Sequence, residues 1–108
     1  MSWDTIIDLV LSSTNLEPKN SDEQFIKLME ELGELAAELI KMKGMTAKPF
    51  DPQDLHEETA DVLLCVWAFF FKLCLEDERF TTGQLTDALY KKIQAWRDKI
   101  GGYTCQTE

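Results

Sequence analysis

Glu58-Thr59-Ala60-Asp61-Val62-Leu63-Leu64-Cys65-Val66-Trp67-Ala68-Phe69-Phe70-Phe71 decides the fold of this 108-residue chain. Two acids spaced three apart lead into ten consecutive apolar residues, Val62 to Phe71. Over nearly three turns of helix, at roughly 3.6 residues each, no polar face is left, so a helix here wants burial on every side. The run is too short, and Lys72 too close, for a membrane span of about 20 residues. One short domain struggles to surround such a helix. It is therefore expected to pack at a subunit interface as well as in its own core.

The stretches on either side also read as helices. Trp3, Ile6, Ile7, Val10 and Leu11 fall at helical spacing, which predicts a first helix from about Ser2 to Ser13, stopping before Glu17-Pro18. Asn20 or Ser21 caps a second helix of about six turns, with Asp22 and Glu23 at its positive end. Gly44 ends it, after Lys41 and Lys43. A loop through Pro49 and Phe50 leads to Asp51-Pro52, a capping side chain before a proline at the first helical position, and the third helix runs to about Leu75. Thr81 and Gln84 have capping-box spacing for a fourth helix, which reaches Ile100 and ends at Gly101-Gly102. Residues from about 103 to 108 read as a tail. No segment alternates apolar and polar residues, and there is no internal repeat. The expectation is a single all-α domain over residues 1–108, its four helices forming a bundle that oligomerisation completes.

The charge balance narrows the function. With 20 acidic and 11 basic residues and a net charge of −9, the chain lacks the basic patch that nucleic acid or an anionic membrane surface would need. An acidic enzyme working on polyphosphate would need cations. Cys65, Cys74 and Cys105 form no CxxC pair, and the first two lie in an apolar run suited to reduced thiols. Asp4 and Asp8 interrupt the amino-terminal segment, so no targeting sequence is read there and a cytoplasmic location is expected.

Acids recur at one spacing in both central helices. Glu31 with Glu34, and Glu58 with Asp61, each place two carboxylates on one side of a helix, roughly 5–6 Å apart. On a wheel of roughly 100° per residue, Phe25, Leu28, Met29, Leu32, Leu35, Ala36 and Leu39 form an apolar arc, the expected core face of the second helix. Lys27, Glu31, Glu34 and Glu38 form a stripe roughly 60° wide on its flank. In the third helix Asp54, Glu57, Glu58 and Asp61 line up in the same way. Glutamate is a good helix former that decorates many solvated faces, and acids in a first turn relieve the helix dipole. Asp61 escapes both explanations, because it enters the apolar run directly. Four carboxylates in a partly dry pocket repel one another and cannot all stay ionised without protons or a cation, and magnesium is the obvious cation.

Glu30-Glu31-Leu32-Gly33-Glu34-Leu35 followed by Glu58-Thr59-Ala60-Asp61-Val62 resembles the ExxE and ExxD signature of the all-α nucleoside triphosphate pyrophosphohydrolases, most closely the small MazG-like proteins. The resemblance covers most of the chain. It implies hydrolysis of a nucleoside or deoxynucleoside triphosphate between the α and β phosphates, giving a monophosphate and pyrophosphate, in nucleotide-pool house-cleaning. By matching positions it implies that Glu31, Glu34, Glu58 and Asp61 hold Mg2+, with Mn2+ as a substitute, in a homodimer or homotetramer. Magnesium favours carboxylates together with substrate phosphates and water, which agrees with that assignment. One carboxylate would orient or deprotonate the attacking water. Spacing leaves Glu34 and Glu38 both open for that catalytic role.

The phosphates call for cations, and Lys27, Lys92, Arg97 and Lys99 are the candidates beside the second helix and on the fourth. Trp3, Trp96 and Tyr103 are read as core or interface aromatics rather than base-stacking groups. His56 is the only histidine and is read as a first-turn surface residue, which excludes zinc-protease and Glu-x-x-His di-iron motifs. Two alternatives remain. One is a non-enzymatic helical module that dimerises through the third helix, its acids serving solubility. The other is a narrower enzyme resembling the dimeric dUTPases or the phosphoribosyl-ATP pyrophosphohydrolases.

Overall fold

A computed structural model describes residues 1–101; Gly102, Tyr103, Cys105 and the rest of the expected tail lie outside the described residues. The chain is all-α. Its helices are α1 (Trp3–Thr14), α2 (Ser21–Met42), α3 (Pro52–Glu76) and α4 (Thr82–Lys99), with no strand among the described residues. They fall into two compact units, Met1–Glu76 and Asp77–Glu108.

Helix ends follow from local chemistry. Ser2 Oγ accepts the Thr5 N–H and starts α1. Asn20 and Glu23 form a reciprocal capping box at α2, Asn20 Oδ1 accepting from Glu23 N at 2.9 Å and Glu23 Oε1 from Asn20 N at 2.9 Å. The other end of α2 closes in a Schellman motif. Gly44 takes a left-handed φ of 71°, the Met45 N–H reaches Ile40 O, and the Gly44 N–H reaches Lys41 O. Asp51 Oδ1 accepts the Gln53 N–H ahead of α3. At α4, Thr81 Oγ1 accepts from Gln84 N at 3.1 Å, which is one half of the expected box.

Within the first unit, α3 packs on both α2 and α1. Trp67 meets Trp3 edge-on with ring centroids 6.1 Å apart, and Phe69 meets Phe25 at 5.5 Å. Two side chains one turn apart near the end of α3 hold the connection between α1 and α2. Lys72 Nζ donates to the carbonyls of Thr14 and Glu17 at the end of α1. The Glu76 carboxylate accepts the Ser21 N–H at 2.8 Å and its hydroxyl at the start of α2. A cation thus meets a helix C-terminus and an anion a helix N-terminus, as the dipoles favour.

One expectation needs correction. The apolar arc of α2 is not its buried face: Phe25, Met29, Leu32 and Leu39 are between 44% and 57% exposed. The residues turned inward are Gln24, Glu31 and Glu38, with Leu28 and Leu35 half-buried between them. That face is rotated roughly 80° from the arc toward the acids, at 100° per residue. The arc is wider than the strip one neighbouring helix can cover, so α3 takes its edge together with the acidic flank. The chain does not enclose α3 on every side, in line with the difficulty expected of so short a domain: Leu63, Leu64 and Val66 are 39%, 49% and 41% exposed.

In the second unit, Arg79 folds back on Asp77, with Nη2 2.6 Å from Oδ2. These bonds pull the Asp77 carboxyl down to about 2. Arg97 and Lys99 sit in the last turn of α4, where cations suit the negative end of the helix.

Candidate functional site

Because α2 turns its acidic flank onto α3, carboxylates from both helices converge. Ligand atoms of Glu31, Glu34 and Glu58 lie within 4.8 Å of one another. Glu31 is buried, Glu58 half-buried and Glu34 exposed, so the group runs from the helix seam outward to solvent. Asp61 is exposed and lies outside this set of three, one turn along α3 from Glu58. Glu38 is buried one turn along α2 from Glu34.

Two lysines offset part of the charge. Lys27 Nζ lies 3.0 Å from Glu31 Oε1, and Lys41 Nζ lies 2.8 Å from Glu38 Oε2. The Lys41 pairing was not anticipated as part of the site, although its position three residues after Glu38 is the sequence signal for it. Each pair leaves one carboxylate oxygen over: Glu31 Oε2 and Glu38 Oε1 are buried without a hydrogen-bond partner, and so is Glu58 Oε2. Glu58 has no cation partner among the described residues. Burial pushes its carboxyl above the usual glutamate range, and the charges of Glu34, Asp61, Glu31 and Glu38 push it further. Four acids from two helices therefore act on a single carboxylate.

Unpartnered anionic oxygens in a helix seam are costly, and a cation held by the cluster would relieve those of Glu31 and Glu58 together. The donors are all carboxylate oxygens, which suits a hard divalent ion rather than zinc or copper. The cluster could hold a metal, and the residues present fit one. His56 stands apart, its Nδ1 donating to Pro52 O at 2.9 Å. Lys92, Arg97 and Lys99 lie on α4 in the second unit and are exposed.

The sequence profile described as "MazG nucleotide pyrophosphohydrolase domain" matches residues 21–100. The chain belongs to the MazG family. No curated protein and no solved structure is matched at a significant level. The matched residues take in both acid pairs and Lys27, and they begin at Ser21, the first residue of α2, so α1 lies outside them. Membership in the MazG family makes the chain a nucleotide pyrophosphohydrolase in general terms, and the glutamate cluster accords with the divalent metal the family uses. No helix among the described residues is long and apolar enough to cross a membrane.

Proposed function

We propose that the chain hydrolyses nucleoside or deoxynucleoside triphosphates at the α–β phosphoanhydride bond, releasing the monophosphate and pyrophosphate, with magnesium held by Glu31, Glu34 and Glu58 and by Asp61 from the next turn. The observation that carries this reading is Glu58, a carboxylate without a cation partner, facing Glu31 and Glu34 with one oxygen buried and unbonded. Bound there, the metal would neutralise charge on the phosphate oxygens, the main requirement of phosphoryl transfer.

The protein's own groups divide the remaining work. Lys27 lies beside the cluster through Glu31, so its ammonium is placed to meet a phosphate once the cluster's charge is neutralised. Glu38 keeps one oxygen on Lys41 and the other free. That free Oε1 is our candidate to orient the attacking water and accept its proton, because Glu34 is engaged in the cluster. Manganese, which shares magnesium's oxygen preference, would substitute.

The working unit in this reading is a homodimer or homotetramer. Among the described residues only Val10, Cys65 and Phe71 are buried apolar side chains, while the α2 arc and the Leu63–Val66 side of α3 stay open. A second copy of the chain supplies the missing cover.

The test is pyrophosphate release from a panel of ribo- and deoxynucleoside triphosphates, with magnesium or with EDTA, for the wild type and for Glu34→Gln, Glu38→Gln and Glu58→Gln. Metal-dependent release of pyrophosphate and monophosphate, lost in Glu34→Gln and Glu58→Gln, is expected. Glu38→Gln should retain metal binding by calorimetry while losing turnover. A folded wild type that binds no magnesium and turns over nothing would sink the proposal.

A further inference from the structure

A cavity of about 460 Å3 opens beside the carboxylate cluster, between α1, the start of α2 and the middle of α3. Lys27 lines it and also pairs with Glu31, so cavity and cluster share a wall residue. The α3 wall is Leu64, Cys65 and Ala68, beginning one turn beyond Asp61, and α1 supplies Leu9 and Val10 opposite. Most of this lining is apolar. Gln24 is the exception that matters: it lines the cavity at 5% exposure, and its carboxamide makes no hydrogen bond among the described residues. Its backbone N–H is satisfied by Asn20 O at 3.0 Å, so only the side chain lacks a partner. The carboxamide faces the cavity and is free to bond a ligand that enters it.

We propose that this cavity holds the nucleoside of the substrate and that Gln24 reads the edge of its base; this rests on the cluster being the triphosphate site. A nucleobase has apolar faces and an edge of adjacent hydrogen-bond donors and acceptors. A cavity whose surface is mostly apolar, with Ser13, Thr14, Glu17 and Lys19 among its polar lining and Gln24 offering a group that both donates and accepts, matches that chemistry, and the volume lies within the range of roughly 300–1,000 Å3 usual for small-molecule pockets. The shared Lys27 places the phosphate end at the cluster and the base end toward α1. Since α1 lies outside residues 21–100, this wall is a feature of the chain beyond the matched domain.

The experiment compares wild type, Gln24→Met, Gln24→Glu and Ala68→Leu, with helix content and melting temperature checked for each. One arm measures kcat and KM over the triphosphate panel. The other measures calorimetric binding of the corresponding monophosphates in EDTA, which needs neither metal nor turnover. Gln24→Met should flatten the ranking of bases by about tenfold, chiefly through KM on the preferred base, as loss of a specific base contact does. Gln24→Glu, an acceptor without a donor, should re-order the ranking. Ala68→Leu, which fills the cavity from α3, should weaken monophosphate binding. An unchanged base ranking in folded Gln24→Met, with monophosphate binding intact in Ala68→Leu, would overturn the inference. If the wild type turned over no triphosphate, the proposed function would fail, and the binding arm alone would still decide the cavity: binding lost in Ala68→Leu upholds it and binding retained overturns it.

Discussion

Glu58 pays for its place in the seam of α2 and α3. Its raised carboxyl means that the ionised form is disfavoured in the folded protein, first by burial and then by Glu34, Asp61, Glu31 and Glu38. The penalty is absent below the ordinary glutamate value of 4.5 and grows as the pH rises through the folded value above it. Glu58→Gln should therefore melt at a higher temperature than wild type at neutral pH in EDTA, and the two curves should converge below pH 4.5. Magnesium should raise the wild-type melting temperature by binding the folded state, and raise that of the variant much less. Melting curves against pH and metal check both statements; a variant less stable than wild type at pH 7 in EDTA would show that the carboxylate is held by favourable contacts instead. Gly33, between Glu31 and Glu34, has nothing within 4 Å of where a Cβ would stand. Gly33→Ala should stabilise the monomer by about 1 kcal/mol through helix propensity, measurable by urea denaturation.

At the scale of elements, α3 organises the first unit through its ends as well as its flanks. Lys72 and Glu76 fix the end of α1 and the start of α2 together, so the turn between those helices depends on the third helix. The hydrogen bonds from Ser21, side chain first and then backbone, hold the Glu76 carboxyl below the usual glutamate range. A lowered carboxyl contributes stability that is present above the unfolded value and lost as the pH falls through the folded value. Glu76→Gln should thus melt below wild type at neutral pH, and the difference should close as the pH drops below 4.5. A gap that persisted in acid would mean that shape rather than charge holds the α2 start.

For the whole molecule, the open faces of α2 and α3 predict assembly. Sedimentation of the wild type at micromolar concentration should show a dimer or larger species. Leu63→Glu, on the open side of α3, should give a helical monomer with much reduced turnover. A wild type that is monomeric and fully active would refute the assembly. The sequence alone determined the helices and their ends, because caps, proline positions and the glycine stop act within a turn: Asn20 with Glu23, Asp51 before Pro52, Gly44 in its left-handed turn. It also determined that Glu31 and Glu34, and Glu58 and Asp61, share helix faces, since spacing of three fixes that. Only the tertiary structure decided which side of α2 meets α3. An apolar arc and its acidic flank are neighbours on the wheel, and local propensity cannot say which of them a partner helix will cover. That choice brought Glu31, Glu34 and Glu58 together, left Asp61 on the rim, and buried Gln24, which no motif marked, because its meaning depends on the cavity that α1 and α3 close around it.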